Sequence, residues 1–140
     1  MEKLKFKTEI KASKEKVWKV LWNDETNRKW SSVFAEGSHA VSDWNEGSKI
    51  YFLSPSGEGM WSIIEKIIPN EYMRFKNIGE LKEGKEVPTE WSGFRENYTL
   101  SETEGVTDLT VEIDIIDEYK EYFSKAFPVA INKVKEISES

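Results

Sequence analysis

Glu96 is the residue of this chain whose type and position are best suited to chemistry. Strand alternation places it between Phe94 and Tyr98, on the face of a predicted strand that should point inward. Apolar surroundings disfavour the charged form of a carboxyl group, so Glu96 could accept a proton or anchor the polar group of a ligand. The alternatives are an internal salt bridge to Arg74 or Arg95, because buried charges are usually paired, or a strand end that reaches water.

Other reactive side chains are scarce in the sequence. His39 is the one histidine, and it lies among small polar residues, which predicts a surface or partly buried strand position. The absence of cysteine removes thiolate nucleophiles, thiolate metal ligands and disulfides. Residues 57–59 lack the lysine of a phosphate-binding loop and are predicted to form a hairpin turn. We therefore expect no metal ion and no cofactor, and the sequence favours a binding protein over an enzyme.

Aromatic side chains are numerous, with seven Phe, six Trp and five Tyr among the 140 residues. Many fall on predicted inward faces of strands or on the last helix, where they either fill a solid core or line a cavity. Our interpretation is a cavity that binds a ligand. The residues predicted to line it are Trp30, Phe52, Trp61, Phe75, Trp91, Phe94, Glu96, Tyr98, Tyr119, Phe123 and Phe127.

Length and charge exclude several functional classes. A chain of 140 residues fits one domain, covering residues 1–140. The net charge of −6, with acidic and basic residues interspersed, gives no basic patch for nucleic acid. No stretch approaches the roughly 18 consecutive apolar residues of a membrane-spanning helix, and no apolar leader precedes the first strand. Together with the lack of cysteine, these features predict a cytoplasmic protein that does not insert into membranes.

The elements that must position the candidate residues follow from hydrophobic periodicity. Leu4, Phe6 and Ile10 alternate with lysines in a first, half-buried strand. Ser13 is a good helix cap, so a helix is predicted over residues 13–22, followed by a second short helix that carries Trp30.

Strand patterns dominate the middle of the chain. They cover residues 36–42, 48–54, 60–68, 72–77, 94–100 and 109–115. Residues 78–90 contain two glycines and a proline, and they are predicted to be a long loop, either a lid or plain mobile surface. Residues 119–138 show apolar residues every three to four positions, which predicts a helix. Pro128 interrupts that pattern, so the helix should either bend there or begin anew near Phe127.

The order of these segments resembles a known superfamily. The resemblance rests on residues 10–18 (IKASKEKVW), 43–50 (DWNEGSKI), 96–100 (ENYTL) and 107–111 (TDLTV). The chain is similar to the START and birch-pollen-allergen superfamily, in the branch of activators of the heat-shock-protein ATPase. The resemblance implies an α+β helix-grip fold: a curved antiparallel sheet of about six to seven strands around a long C-terminal helix, with a cavity between them.

Three functions remain open at this point. The leading one is non-catalytic binding of a small hydrophobic or amphipathic molecule in the cavity, with Glu96 and Tyr98 orienting its polar group. The second is a protein-interaction module that assists a chaperone ATPase, as the branch of the superfamily implies. The third is an enzyme of the cyclase or dehydratase type, in which a cavity carboxylate moves protons. A homodimer is compatible with each of them.

Overall fold

The computed structural model describes residues 2–140, which form eight strands and three helices. In chain order they are β1 (Glu2–Ile10), α1 (Lys14–Trp22), α2 (Asp24–Ser31), β2 (His39–Ser42), β3 (Lys49–Leu53), β4 (Gly59–Ile68), β5 (Tyr72–Lys82), β6 (Lys85–Pro88), β7 (Arg95–Thr103), β8 (Val106–Ile115) and α3 (Asp117–Glu139). Two short helices follow the first strand and one long helix closes the chain. The predicted α+β class and helix-grip arrangement are confirmed.

The strands form one open antiparallel sheet in the order β1-β8-β7-β5-β4-β3-β2, with β6 paired to β5. The β4–β5 ladder shifts register next to Ser62 and again after Ile64. Such bulges bend the strands and increase the local twist of a sheet. Helix α3 contacts β1, α1 and α2, so the long helix is held between the first strand and the two short helices.

Strand β8 shows the predicted alternation throughout its length. Leu109 and Val111 are fully buried, and Ile113 and Ile115 nearly so. The strand is hydrogen-bonded on both sides, to β1 and to β7. Because a slip of one residue would turn all four apolar side chains outward, this register is firmly fixed, and it also fixes the face on which β7 presents Glu96.

The prediction of a long loop at residues 78–90 is wrong, because most of these residues belong to β5 and β6. Strand β5 continues to Lys82 and turns back into β6, with Lys82 opposite Lys85. Glu83 and Gly84 form the two-residue turn, with φ angles of 51° and 75°. Positive φ at both central residues is the geometry that matches the twist of a hairpin. All residues of β6 are exposed, so no alternation of apolar residues marked this strand, and the sheet has eight strands rather than six to seven.

Helix α3 continues through Pro128 without interruption, so the prediction of a new helix start near Phe127 is wrong. Proline removes the hydrogen bond to the carbonyl group four residues earlier, that of Ser124. Both Pro128 and Ser124 are exposed, and water can therefore replace the missing donor. The buried side of the helix, which carries Phe127, Ala130 and Val134, keeps its packing.

Two negative findings apply to residues 2–140. None of their helices is both long enough and apolar enough to cross a membrane. Their His, Asp and Glu side chains form no group of three or more that could hold a metal ion.

Candidate ligand-binding cavity

A cavity of about 590 Å³ lies between the sheet and the N-terminal half of α3. Its wall is formed by α2 and the segment that follows it, by β3, β4, β5, β7 and β8, and by α3. Most of the lining side chains are apolar or aromatic. Ligand sites in proteins have volumes of about 300–1,000 Å³ and the same mostly apolar lining.

Ten of the eleven residues predicted from the sequence line this cavity. They are Trp30, Phe52, Phe75, Trp91, Phe94, Glu96, Tyr98, Tyr119, Phe123 and Phe127. They come from six different parts of the chain, which the sheet and α3 bring together.

Trp61 is the exception, because it lies on the other face of the sheet. Met60 lines the cavity and Ser62 is buried, so Trp61 between them points outward, where the ammonium of Lys49 lies 4.9 Å from the centre of its ring. Strand β4 carries large apolar residues at both odd and even positions, so alternation alone could not identify its inner face. Including Trp61 in the site was wrong.

Trp30 is positioned by hydrogen bonds between the two short helices. Its indole Nε1 donates to the Leu21 carbonyl oxygen at 3.1 Å, and the Asn27 amide donates to the same oxygen at 2.8 Å. Leu21 lies in the last turn of α1, where carbonyl groups lack partners within the helix. Both side chains therefore supply hydrogen-bond donors to a carbonyl group at the end of α1, and these bonds fix the position of α2 at the cavity.

Trp22 is a cavity residue that the sequence analysis missed. It ends α1 and is nearly buried, with its ring centre 4.9 Å from that of Tyr98 and 5.5 Å from that of Phe75. Both contacts are edge-to-face, the arrangement that aromatic quadrupoles favour. Helical spacing had placed Trp22 on the apolar face of α1, and nothing in that spacing distinguishes a core position from a cavity wall.

The opposite wall joins α3 to the segment after α2. The ring of Phe34 lies 4.9 Å from that of Phe127 and 6.1 Å from that of Phe123. The Tyr122 hydroxyl donates to the Phe34 carbonyl oxygen at 2.6 Å. Phe34 and Tyr122 were not predicted, because the residues around Phe34 show no strand or helix period and Tyr122 lies at the exposed edge of its helix.

Glu96 and Tyr98 form the polar end of the cavity. The Tyr98 hydroxyl donates to Glu96 Oε1. Tyr98 is almost fully buried, and Glu96 is half-buried in the cavity wall. Burial raises the pKa of the Glu96 carboxyl, and the hydrogen bond from Tyr98 offsets part of this effect. Burial, together with the neighbouring carboxylate, raises the pKa of Tyr98 well above its usual range, so this hydroxyl stays a donor.

The salt bridge to Arg74 or Arg95, one of the alternatives considered for Glu96, does not form. Both arginines pair with Glu65 instead, each with its Nε 2.8 Å from Glu65 Oε1. Glu96 lies opposite Phe75 in the β5–β7 ladder, and Arg74 and Arg95 are the immediate chain neighbours of these two inward residues. Because adjacent residues of a strand point to opposite faces, the two guanidinium groups lie on the outer side of the sheet.

Replacing Glu96 by glutamine should therefore stabilise the protein at neutral pH. The raised pKa means that the folded state binds the Glu96 proton more tightly than the unfolded state does. This tighter proton binding stabilises the folded state. The stabilisation is fully present below the pKa of Glu96 in the unfolded chain, about 4.3, and is lost as the pH rises through the higher pKa in the folded state. Glutamine cannot ionise and can still accept the Tyr98 hydrogen bond. We expect a higher melting temperature for the variant at pH 7 and little difference near pH 4. Each kcal/mol gained in the free energy of unfolding should raise the melting temperature by about 2–8 °C.

Thermal unfolding of Glu96→Gln and of the wild type at both pH values measures this effect. Glu112→Gln is the matched control, because Glu112 lies between the buried Val111 and Ile113 of β8 and therefore faces away from the cavity. A Glu96→Gln variant that is less stable than the wild type at pH 7 would show that the carboxylate has a cationic partner in solution.

The sequence of this protein also identifies its family. The family model described as "Activator of Hsp90 ATPase homolog 1-like protein" matches residues 11–138. The chain belongs to the activator of Hsp90 ATPase homolog 1-like family. The match spans α1 to α3 and confirms the resemblance to the START and birch-pollen-allergen superfamily. No protein of curated function matches the sequence.

Solved structures with the same fold come from several bacteria. The Aha1 dimer of Colwellia psychrerythraea has a TM-score of 0.76 and 23% identity, over 99% of this chain and 97% of that one. Protein CV1439 of Chromobacterium violaceum has a TM-score of 0.72 and 15% identity, over 100% and 99%. CalU16 of Micromonospora echinospora has a TM-score of 0.68 and 15% identity, over 94% and 73%. At these identities the likeness shows a shared fold.

Proposed function

We propose that this protein binds a small hydrophobic or amphipathic molecule in the cavity between the sheet and α3, without transforming it. The observation that carries the proposal is the cavity itself, with its volume of about 590 Å³ and its mostly apolar lining. Tightly packed interiors contain few voids larger than a water molecule. A space of this size between aromatic walls is therefore better explained by an occupant than by imperfect packing.

The arrangement of polar groups supports an amphipathic ligand. The rings of Trp22, Phe75 and Trp30 offer apolar surface, while the Glu96–Tyr98 pair provides a polar site at the inner sheet face. A few convergent polar groups in an apolar pocket fix the orientation of a ligand and discriminate among ligands.

Replacing Phe123 by alanine should weaken the binding of a small apolar probe by about tenfold, which corresponds to about 1.4 kcal/mol. Phe123 is half-buried at the cavity wall formed by α3, so its removal widens the cavity and takes contact area from the ligand. The fluorescence of N-phenyl-1-naphthylamine, an uncharged probe that brightens in apolar surroundings, measures the dissociation constant.

Val129→Ala is the control for this measurement, because Val129 lies on the same helix, is 58% exposed and does not line the cavity. Its dissociation constant should equal that of the wild type. A wild-type protein that binds no apolar probe, or a Phe123→Ala variant with unchanged affinity, would contradict the proposed site.

An enzyme of the cyclase or dehydratase type is the second candidate, and one observation favours it. Glu96 carries a raised pKa, has a tyrosine hydroxyl as its partner and lies in an apolar cavity, all of which suit a general acid or base. Binding alone needs no titratable group that shuttles protons. Recovery of an unaltered ligand after prolonged incubation separates the two functions, since a catalyst would return a changed molecule.

Two partners follow from the family rather than from the cavity. The family description refers to a chaperone ATPase. We consider an interaction with such a chaperone a weaker candidate than ligand binding, because the cavity supports ligand binding directly. The Colwellia protein is described as a dimer, which supports the proposal that this chain also pairs with a second copy.

A further inference from the structure

The ionisable side chains that line the cavity are almost all acidic. Among residues 2–140 the ionisable side chains that face the cavity include Glu58, Glu80 and Glu96, together with His39, and no lysine or arginine lines it. In a mostly apolar space of low dielectric constant, charges of one sign act strongly on any charged molecule that enters. This cavity therefore discriminates between ligands of opposite charge.

Glu96 differs from the other two carboxylates in its partners. Glu80 pairs with Lys82 at 3.1 Å, and Glu58 accepts the backbone N–H of Glu83. Glu96 has no cationic partner among residues 2–140, and its one hydrogen bond comes from Tyr98 to Oε1. Its second oxygen, Oε2, has no hydrogen-bond partner in this part of the chain and keeps accessible surface. That oxygen is open towards the cavity.

Aromatic rings surround the open carboxylate. Phe75 lies directly opposite Glu96 in the β5–β7 ladder, and Tyr98 follows it on the same strand face. Trp22 contacts both of these rings, with centres 5.5 Å and 4.9 Å away. The faces of such rings attract cations, and tryptophan does so most strongly. A half-buried carboxylate with no cationic partner among residues 2–140, next to several aromatic rings, is the combination that recognises an organic ammonium group.

From this geometry we infer that the ligand is a lipophilic amine, whose protonated nitrogen binds Glu96 Oε2 and whose apolar body occupies the aromatic cavity. This inference rests on the proposed function, since it specifies the ligand of the same site. The ammonium group supplies the charge partner that the protein itself withholds from Glu96, and buried charges are retained where they are paired. A fatty acid or another carboxylate would instead bring a further negative charge beside the acidic side chains of the cavity, which is unfavourable.

Three naphthalene derivatives of nearly equal size test the charge preference: 1-naphthylmethylamine, 1-naphthalenemethanol and 1-naphthoate. Their dissociation constants are measured at pH 7.5 by isothermal titration calorimetry. We expect the amine to bind at least about tenfold more tightly than the alcohol, because hydrogen bonds between charged groups are about twice as strong as neutral ones. The carboxylate should bind more weakly than the alcohol.

Glu96→Gln tests whether Glu96 is responsible for the preference. The variant keeps the shape of the side chain and should bind the alcohol as the wild type does, while the advantage of the amine falls to about twofold or less. Glu112→Gln, which removes the same charge from the outer face of β8, should keep the full preference. This comparison cancels the contributions of His39, Glu58 and Glu80, which are present in every variant.

The outcomes separate this inference from the proposed function. If the alcohol binds and the amine gains no advantage, or if Glu96→Gln keeps the advantage, the amine inference is overturned while ligand binding stands. If none of the three compounds binds the wild type, both fail. Circular dichroism and the melting temperature of each variant establish that it is folded before its affinities are compared.

Discussion

Replacing Phe127 by alanine should lower the free energy of unfolding by about 3–5 kcal/mol, the range for truncating a buried Phe. Phe127 is 3% exposed and joins three elements through its ring. Its centre lies 5.2 Å from Phe6 of β1 in a stacked pair and 4.9 Å from Phe34 in an edge-to-face pair. Phe127 therefore contributes to the packing of α3 against both β1 and the segment after α2.

The existing cavity increases the expected cost. Phe127 already lines open space, so its removal leaves a larger cavity that neighbouring residues cannot fill by a small shift. A domain of this size has a total stability of about 5–15 kcal/mol, so the loss is a large fraction of it. Urea unfolding monitored by circular dichroism gives the value.

Val129→Ala, two residues further along α3 and exposed, should change the same free energy by less than about 0.5 kcal/mol. A loss below about 1 kcal/mol for Phe127→Ala would mean that α3 is held to the sheet mainly by its C-terminal half, around Val134.

Gly59→Ala should also cost about 3 kcal/mol or more, for a steric reason. Gly59 begins β4 and lines the mouth of the cavity opposite Leu53 of β3. A Cβ atom at this position would overlap the carbonyl oxygen of Phe52 and lie 2.9 Å from its carbonyl carbon. Overpacking costs typically 1–3 kcal/mol, and here the obstacle is backbone that cannot rotate away. The β3–β4 pair must separate at the end that holds Phe52 in the cavity wall.

Gly57→Ala is the matched control in the same hairpin. Its φ of +85° strains any other residue, but a Cβ atom there meets nothing within 4 Å. The expected cost is the conformational penalty alone, about 1–2 kcal/mol. Denaturant unfolding of the two variants compares them directly, and the fluorescence of N-phenyl-1-naphthylamine should drop for Gly59→Ala only. Equal losses in the two variants would show that the hairpin absorbs the overlap without separating.

The parts of the fold that were predictable share a clear pattern on one face. Strand β8 alternates between apolar and polar residues from Leu109 to Ile115, and it is buried on one side only. That pattern fixed its own register, and strand β7 beside it showed the same period around Glu96. The inward direction of the Glu96–Tyr98 pair therefore followed from the sequence.

The mistakes arose where periodicity carries no information. Strand β6 is exposed at every residue, so its pairing with β5 left no apolar trace. Strand β4 is apolar on both faces, so the face of Trp61 was undetermined. Pro128 suggested a helix boundary because its cost was assessed without knowing that it lies on the exposed side of α3. In each case the missing information was the environment of the residue, which only the tertiary fold supplies.

The composition of the cavity was predictable only in part, because its walls come from distant segments. Most of the aromatic residues could be recognised as inward-facing from their own strands. The contact of Trp22 with Tyr98, and the absence of a cation near Glu96, depend on how α1, β5 and β7 meet. The spacing of residues within one strand or helix cannot show whether a neighbouring strand or helix places a cationic side chain near Glu96.

The pairing of β1 with β8 has a consequence for how the chain folds as it leaves the ribosome. Glu2 lies opposite Ile115, and among residues 2–140 strand β1 has β8 as its one partner in the sheet. Translation releases the N-terminal residues first, so β1 must wait until almost all the other strands have emerged. Contacts between residues so distant in sequence also make folding slow. The lysines at positions 3, 5 and 7 protect β1 before it pairs, because charged residues oppose the addition of strands from other chains to an open edge.

Since α3 emerges later still, the cavity closes only after the sheet is complete.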